Sequence, residues 1–270
     1  MINLKDIHKR FNPGTINEIY ALKGVSLEIQ EGEFVTLIGT NGSGKSTLLN
    51  AVAGAFLPDS GNIVITGEDV THKRDFERAK YVSRVFQNPF MGTAPDMTIA
   101  ENLLMAVLRG ERHYPKISLH AKCLAHFMEE VAKLEMQLET RLDTVIGTLS
   151  GGQRQAISLL MAVIKEPKVL LLDEHTAALD PKSAAQVIKL TQAFIDRGRL
   201  TTLMVTHSMQ QALDLGTRTV MMHRGQIIDD ISKKERIGLT ANDLLDKFAD
   251  LRKAEKLTDE MIEQFRRDYL

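Results

Sequence analysis

The chain lacks several features that mark whole classes of protein. Its single cysteine, Cys123, excludes an internal disulfide and fits a reducing compartment. It has no run of about eighteen apolar residues, which a membrane-spanning helix needs, and its first ten residues carry charges where a secretory signal would be apolar. The formal net charge of -1 lacks the basic excess typical of nucleic-acid binding. We therefore expect a soluble cytoplasmic protein without a nucleic-acid partner.

The composition is otherwise that of an ordinary globular protein. The 270 residues are 43% hydrophobic and 26% charged, which is enough for a sizeable core. We find no internal repeat and no low-complexity linker. The first third has short apolar runs between turns, and the later runs KVLLLDE and TTLMVTH are typical of strands buried on both faces of a parallel sheet. Helical stretches between these strands predict an α/β fold.

Two regions show the spacing of amphipathic helices. Between about residues 98 and 142, apolar side chains recur at three- and four-residue steps, which predicts that one helix face holds Leu124, Phe127, Met128, Val131, Leu134 and Leu138. Near the C-terminus, Thr240 is a candidate N-cap of a helix with Asp243 in its first turn. Its apolar face would hold Leu244, Leu245, Phe248 and Leu251. A second tail helix is predicted in TDEMIEQFRRDYL, and the two would pack on the main domain or on a partner.

A strand, a glycine-rich loop and a helix follow one another in EFVTLIGTNGSGKSTLLNAVAG. Gly39 to Ser46 matches the phosphate-binding pattern G-x-x-x-x-G-K-S, in which glycines let backbone N–H groups face phosphate oxygens at a helix N-terminus. Lys45 would neutralise the outer phosphates, and the Ser46 hydroxyl would bind Mg²⁺. Gly54 is placed to end the helix. The predicted nucleotide-binding residues are Gly39, Thr40, Asn41, Gly42, Ser43, Gly44, Lys45, Ser46 and Thr47.

An acidic pair ends the later strand KVLLLDE. Asp173 at the carboxyl end of a strand can hold Mg²⁺, and Glu174 can polarise a water for attack on a γ-phosphate. Two acidic residues after a strand can also be a simple turn, but the presence of a phosphate loop in the same chain favours a catalytic role.

A second stretch, LSGGQRQ, also has the character of an anion site. Ser150 can cap a helix, and Gly151 and Gly152 would let the backbone approach a ligand closely. A simple capped helix start would explain Ser150 but not the paired glycines. Why one chain carries two such sites is not explained by the residues alone.

These motifs together resemble the ATP-binding subunits of ABC transporters. The phosphate loop GTNGSGKST, the signature LSGGQRQ, the strand motif VLLLDE and the histidine of VTHS occur in that family's order over residues 2–230. The resemblance implies an α/β P-loop NTPase (RecA-like) core with an antiparallel β subdomain and an inserted α-helical subdomain. The expected domains are an ABC ATPase domain at 1–230, with the helical subdomain at about 88–160, and a short helical extension at 231–270.

The resemblance also implies why there are two anion sites. Two such subunits associate head to tail, and the signature of one closes over the ATP that the phosphate loop of the other holds. The residues carried over for this contact are Ser150, Gly151, Gly152 and Gln153. A second ATP-binding subunit, most simply a second copy of this chain, is therefore an expected partner.

Four further positions carry over from the family one at a time. Gln87 matches a ligand of Mg²⁺ or the attacking water, His207 a contact of the γ-phosphate, and Asp180 a residue that couples the two sites. Phe11 sits where the family places an aromatic on adenine, with Tyr20 as the rival. The chain departs from the family at His175, where many members have proline after the glutamate.

The implied function is that of an ATP-hydrolysing motor that drives a separately encoded membrane permease at the cytoplasmic face of the membrane. Import of a small solute, such as an aromatic amino acid, is expected, with an extracytoplasmic solute-binding protein as a further partner. The permease would dock on the segment after Gln87, where Phe90, Met91 and Met97 lie. The alternative for each of these side chains is packing inside the helical region. A soluble ATPase of protein or metal-cluster assembly, and an export or lipid-extraction system, are the alternatives.

Overall fold

A computed structural model describes residues 1–110 and 119–254, with side chains as far as residue 247. In chain order, the elements are β1 (Ile2–Phe11), β2 (Ile19–Ile29), β3 (Phe34–Gly39), α1 (Lys45–Ala53), β4 (Ser60–Ile65), β5 (Glu68–Asp69), α2 (Asp75–Arg78), β6 (Val82–Val85), α3 (Ile99–Leu108), α4 (Ala121–Ala132), a 3₁₀ turn (Ile146–Thr148), α5 (Gly151–Val163), β7 (Val169–Asp173), α6 (Pro181–Gly198), β8 (Thr201–Val205), α7 (Met209–Leu215), β9 (Arg218–His223), β10 (Gln226–Ile231) and α8 (Ala241–Ala254).

The chain divides into two compact units. The first joins Met1–Arg74 to Thr201–Leu270, and the second is Asp75–Leu200. The second predicted tail helix, and the predicted apolar positions 248 and 251, lie outside the residues whose side chains are described. Within residues 1–110 and 119–254, no helix is both long enough and apolar enough to cross a membrane.

The first unit contains two groups of strands. An antiparallel sheet has the order β2-β1-β4-β5. In the other group β3 pairs in parallel with both β8 and β9, and β10 pairs antiparallel with β9. All residues of β3 and β8 are buried, which confirms the prediction from the continuous apolar run of TTLMVTH. The carboxyl end of β3 then leads directly into the phosphate loop.

The second unit is mainly helical around a short parallel pair, in which Val82 of β6 lies opposite Val169 of β7. All five residues of β7 are buried, as the run in KVLLLDE predicts. Helix α5 is buried along nearly its whole length and packs against α6, α3 and α4. Helix α3 starts at a capping box in which Thr98 and Glu101 bond each other's backbone N–H groups.

The prediction of one long helix through residue 138 is wrong. Helix α4 ends at Ala132, because Glu135 and Gln137 take φ angles of 55° and 56°, which a right-handed helix excludes. Leu134 and Leu138 are still fully buried, but they reach the core from the connection after the helix. Met128, predicted on the apolar face, is 44% exposed.

The first tail helix packs on the first unit. Thr240 caps α8 as predicted, since its hydroxyl accepts from the Asp243 N–H while the Asp243 carboxylate accepts from the Thr240 N–H. Leu244 and Leu245 are buried in an apolar cluster of this unit that includes Met209. The apolar side chains of this helix that are described therefore cover this chain's own core.

Candidate functional site

The phosphate loop runs from the end of β3 to the start of α1, as predicted. Gly39 has φ of 150°, and a Cβ there would lie 2.0 Å from the backbone oxygen of Met222, so no other residue fits. Gly42 has φ of 73°, and a Cβ there would meet no atom within 4 Å. The glycine at 39 is therefore required by the fold, whereas Gly42 borders open space in the first unit, where a phosphate can approach. Gly54 ends α1 in a left-handed conformation, as predicted.

The side chain of Lys45 folds back over the loop. It is 5% exposed, and its Nζ donates to the backbone oxygens of Gly39 at 2.6 Å and Thr40 at 3.1 Å. These carbonyls hold the ammonium group beside the backbone that would surround a phosphate. The loop therefore carries a positioned positive charge before any ligand arrives.

The turn between β9 and β10 supports the loop, which the sequence analysis missed. The Gly225 N–H donates to the Ser43 oxygen at 2.9 Å, and the Lys23 N–H donates to the Gly225 oxygen at 2.8 Å. His223 Nδ1 lies 3.2 Å from Thr40 Oγ1. The glycine in HRGQ predicts a turn, but the sequence does not show that this turn contacts the phosphate loop. The two segments are far apart in the sequence: Thr40 and His223, for example, are 183 residues apart.

The two aromatic candidates for an adenine contact have different surroundings. The Tyr20 ring stacks on His8 at 5.9 Å between centroids, its hydroxyl bonds His8 Nδ1, and the Arg10 guanidinium lies 4.2 Å from its centroid. Phe11 is half-buried at the end of β1 and meets Phe56 edge to face at 5.3 Å. The Lys9 ammonium lies 5.7 Å from the Phe11 centroid, so both rings have a cationic neighbour, and the assignment of Phe11 to adenine stays a prediction.

The acidic pair stands at the end of β7 in the second unit. Asp173 is 9% exposed, and its Oδ2 accepts from Arg84 Nη2 at 2.6 Å in a partly buried ion pair. Glu174 has φ of 47°, an uncommon conformation for a residue other than glycine, and its oxygen accepts from the Ala177 N–H at 2.9 Å. Such backbone strain occurs often at functional residues.

The oxygen donors assigned to Mg²⁺ fit that ion chemically. They are the hydroxyl of Ser46, the amide of Gln87 and the carboxylate of Asp173. Magnesium prefers hard oxygen ligands and is usually held by one or two carboxylates together with substrate phosphates. Ser46 lies in α1 of the first unit, whereas Gln87 and Asp173 follow β6 and end β7 in the second.

The signature helix α5 begins with a reciprocal cap. The Gln153 N–H donates to Ser150 Oγ at 3.3 Å, and the Ser150 N–H donates to Gln153 Oε1 at 3.2 Å. The predicted cap at Ser150 is thus confirmed, and Gln153 completes it. The N-terminus of a capped, buried helix is a positively polarised end that can face an anion.

The paired glycines of the signature have different surroundings. A Cβ on Gly151 would meet only Leu179 at 3.5 Å, an ordinary contact, and the residue is exposed. A Cβ on Gly152 would lie 2.6 Å from both Cβ and Oγ of Ser183, so α5 and α6 can approach only because residue 152 has no side chain. Gly151 can face a ligand, whereas Gly152 is required by packing within this chain.

Asp180 caps the helix that packs on Gly152. Its Oδ1 accepts from the Ser183 N–H at 3.1 Å at the start of α6. Hydrogen bonds from Ser183 lower the pKa of the Asp180 carboxyl, so it is ionised at neutral pH. The residue predicted to couple two nucleotide sites thus lies one helical turn from a side chain that touches the signature helix.

Two buried polar residues of α5, which the sequence analysis missed, fix the neighbouring loops. Arg154 donates to the backbone oxygen of Gly147 in the 3₁₀ turn at 2.6 Å and to that of Leu149, which follows the turn, at 3.3 Å. Its guanidinium also lies 3.7 Å from the Phe90 ring centroid. Gln155 Nε2 donates to the Phe86 oxygen at 3.1 Å, directly before Gln87. The sequence feature that could have identified Arg154 is a charged residue within an otherwise uncharged helix.

The segment after Gln87 exposes apolar side chains. Phe90 is 55% exposed and Met91 is 67% exposed, while Met97 is half-buried. Two of the three residues predicted to line a docking surface are therefore accessible. His207 is half-buried between β8 and α7, directly before Ser208, whose hydroxyl caps α7.

Comparisons with known proteins give consistent results. Residues 22–177 match the family model of the ABC transporter. The chain is 44% identical over 252 residues to a tyrosine transport ATP-binding protein of Clostridioides difficile, covering 92% of this chain and 98% of that one. It is 37% identical over 251 residues to a probable sulfate/thiosulfate import ATP-binding protein of Chlorella vulgaris, covering 93% and 99% of the two chains.

A solved structure shows the same fold. The dimeric ATP-binding cassette MJ0796, in a post-hydrolysis state bound to ADP and Pi, superposes with a TM-score of 0.74 at 29% identity over 86% of this chain and 99% of that one. The expected fold class, a P-loop NTPase cassette with an antiparallel sheet and helices, is thereby confirmed.

Proposed function

The chain belongs to the ABC transporter family as an ATP-hydrolysing motor subunit, and we propose that it powers the import of an aromatic amino acid such as tyrosine through a separate membrane permease. The observation that carries the proposal is the presence in one chain of a phosphate loop with a positioned lysine and a signature helix with an exposed capped N-terminus. The relative named for sulfate/thiosulfate import supports the direction, and the relative named for tyrosine transport supports the solute class.

In this proposal the phosphate loop binds the ATP phosphates. Backbone N–H groups of residues 39–47 surround them, Lys45 neutralises the outer charge, and Phe11 lies on the adenine. Ser46, Gln87 and Asp173 would hold Mg²⁺, which supplies charge neutralisation at the phosphates when bound. The support is the hard oxygen chemistry of these donors and the hydrogen bonds that hold Lys45 over its loop.

Glu174 acts as the general base of hydrolysis in this account. It accepts a proton from the water that attacks the γ-phosphate, while His207 contacts the same phosphate. A residue following a buried strand and held in a left-handed backbone conformation has its side-chain direction set by the fold. The strained backbone of Glu174 is the structural support for this role.

The second anion site belongs to a second copy of the chain. Ser150, Gly151, Gly152 and Gln153 of one copy would close over the ATP of the other, with Asp180 linking the two sites. The exposed N-terminal end of α5 supports this assignment, and the MJ0796 cassette is dimeric. ATP then stabilises the closed pair and its hydrolysis releases it, so the nucleotide shifts a two-state equilibrium.

The permease would dock on the exposed side chains of Phe90 and Met91, which places the motor at the cytoplasmic face of the membrane. Arg154 connects this surface to the signature, since it contacts the Phe90 ring and bonds the backbone just before Ser150. A solute-binding protein on the other side of the membrane would deliver the solute.

Co-purification tests the proposal. Tagged chain carrying Glu174→Gln, isolated with ATP from detergent-solubilised membranes, should retain a multi-span membrane protein in near-equal amount. Adding Phe90→Ser should remove that protein. Phe76→Ser is the matched control, because Phe76 is a comparably exposed phenylalanine of the same unit, at 68%. Vesicles containing that membrane protein together with the wild-type chain should then accumulate tyrosine with ATP.

Other outcomes would contradict the proposal. Recovery of soluble partners alone, by a chain that still binds ATP and dimerises, would identify an assembly ATPase. ATP-driven release of solute from the vesicles would identify an exporter.

A further inference from the structure

The residue after the proposed base is a buried histidine. His175 lies in the loop between β7 and α6 and is 3% exposed. A buried imidazole needs a hydrogen-bond partner, because an unpaired polar group in the interior is costly. Its Nε2 lies 3.0 Å from Oγ1 of Thr191, which is itself fully buried in the middle of α6.

The hydrogen bonds of Thr191 assign the proton of this contact. The Thr191 hydroxyl donates its one proton to the Val187 backbone oxygen at 2.8 Å, a common bond for a buried helical threonine. The hydroxyl can therefore only accept from His175, so Nε2 carries the hydrogen and the ring is a donor toward α6. Burial lowers the pKa of His175 to about 4, in keeping with a neutral ring at physiological pH.

The bond joins a rigid helix to a strained loop. Glu174 has φ of 47°, and a conformation of this kind persists only where the surroundings hold it. On the C-terminal side, the Ala177 N–H bonds the Glu174 oxygen at 2.9 Å, and Asp180 then starts α6. The His175–Thr191 bond fastens the start of this loop, directly after Glu174, to α6.

Thr191 itself is unusual for its place. The buried face of α6 is otherwise apolar, consisting of Val187, Leu190 and Ile195. A hydroxyl on that face is accounted for by its two bonds, one to its own helix and one to His175. The two polar residues therefore form a matched pair inside an apolar contact.

We propose that His175 is a positioning residue that, through its hydrogen bond to Thr191, holds the Glu174 carboxylate in the direction required for attack on the γ-phosphate. The inference rests on the proposed role of Glu174 as the base. A direction error of the base affects the chemical step and not nucleotide binding, because Glu174 is not among the groups assigned to hold ATP. The loss should therefore fall on kcat and leave KM unchanged.

The first test removes the acceptor without changing its size. In purified full chain, Thr191→Val should lower kcat for ATP hydrolysis by about tenfold, since small misplacements of catalytic groups cost one to two orders of magnitude. KM and the Kd for a nucleotide analogue should stay within about twofold. Thr219→Val is the matched control: it also deletes a buried hydroxyl, bonded to Thr36 Oγ1 at 3.0 Å, and should leave kcat unchanged.

A double-mutant cycle and a conservative variant make the test specific. His175→Leu should lower kcat as much as Thr191→Val does, and the double variant no further, because both remove one bond. His175→Gln keeps a donor N–H at similar reach and should restore part of kcat. If Thr191→Val does not fold, the comparison of His175→Leu with His175→Gln decides alone.

The outcomes separate this inference from the proposed function. A folded Thr191→Val chain with wild-type kcat, or additive losses in the double variant, would overturn the positioning role while Glu174→Gln stays inactive. If Glu174→Gln itself hydrolyses ATP at the wild-type rate, the proposed base is wrong and the inference fails with it.

Discussion

Replacing Gly152 by alanine tests whether the second signature glycine is a packing residue. The new Cβ would lie 2.6 Å from Cβ and Oγ of Ser183, about 1 Å inside ordinary carbon contact. Overpacking of this size costs about 1–3 kcal/mol of unfolding free energy. Alanine in place of glycine in a helix regains about 0.5–1 kcal/mol, so the absolute change is partly masked.

Gly151→Ala is the reference for this comparison, because it gives the same gain in helix propensity one position earlier without the clash. Its Cβ would meet only Leu179 at 3.5 Å. Gly152→Ala should therefore be less stable than Gly151→Ala by about 1–3 kcal/mol in urea unfolding without nucleotide. Ser183→Gly in the Gly152→Ala chain removes both clashing atoms and should recover most of the difference. Equal stability of the two alanine variants, or no rescue, would refute the packing argument.

Three further predictions concern separate parts of the chain. Ser150→Arg should abolish ATP turnover without weakening ATP binding to the chain's own phosphate loop. Ser150→Ala should lose only the helix cap, which is about 1 kcal/mol of stability. Full turnover by Ser150→Arg would contradict a site shared by two copies. Two effects act on the pKa of the Asp59 carboxyl. Partial burial raises this pKa, but hydrogen bonds from Lys9 and from the Arg10 N–H together lower it by more, so the folded pKa lies below the ordinary value of 3.8. The stabilisation of the folded state by the Asp59 carboxylate is thus fully present above pH 3.8 and is lost as the pH falls through the folded pKa. Asp59→Asn should cost at most about 1 kcal/mol at neutral pH and nothing in strong acid, since the pair is partly exposed; a pH-independent cost would contradict the ion pair. Leu244→Ala should cost about 2–5 kcal/mol, because that side chain is fully buried, whereas Lys247→Ala should cost little; a mild effect of Leu244→Ala would show that α8 is not part of the core.

The parts of the fold that follow local rules were predictable from the sequence. The strands β7 and β8, the phosphate loop, the end of α1 at Gly54 and the caps at Ser150 and Thr240 all depend on residues within a few positions of each other. Their signals are apolar runs, glycine spacing and capping side chains. The end of α4 was not predicted, because the apolar spacing continues past the turn that stops it.

Contacts between residues distant in sequence were not predictable. The close approach of Gly152 to Ser183, the support of Ser43 by Gly225, and the bond of His175 to Thr191 each depend on how separate elements pack. In each case the sequence showed an unusual residue, such as glycine after a signature serine or histidine in place of proline. The partner became evident only in the folded chain.

A comparison of ATP hydrolysis by the wild-type chain and by Glu174→Gln shows whether Glu174 is the general base. We expect kcat of Glu174→Gln to fall by about 10²-fold or more, as for loss of a general base, while ATP still binds and now holds the chain as a stable dimer. Glu166→Gln is the matched control, because Glu166 shares the φ angle of 47°, and it should hydrolyse ATP normally. Hydrolysis by Glu174→Gln at close to the wild-type rate would contradict the account.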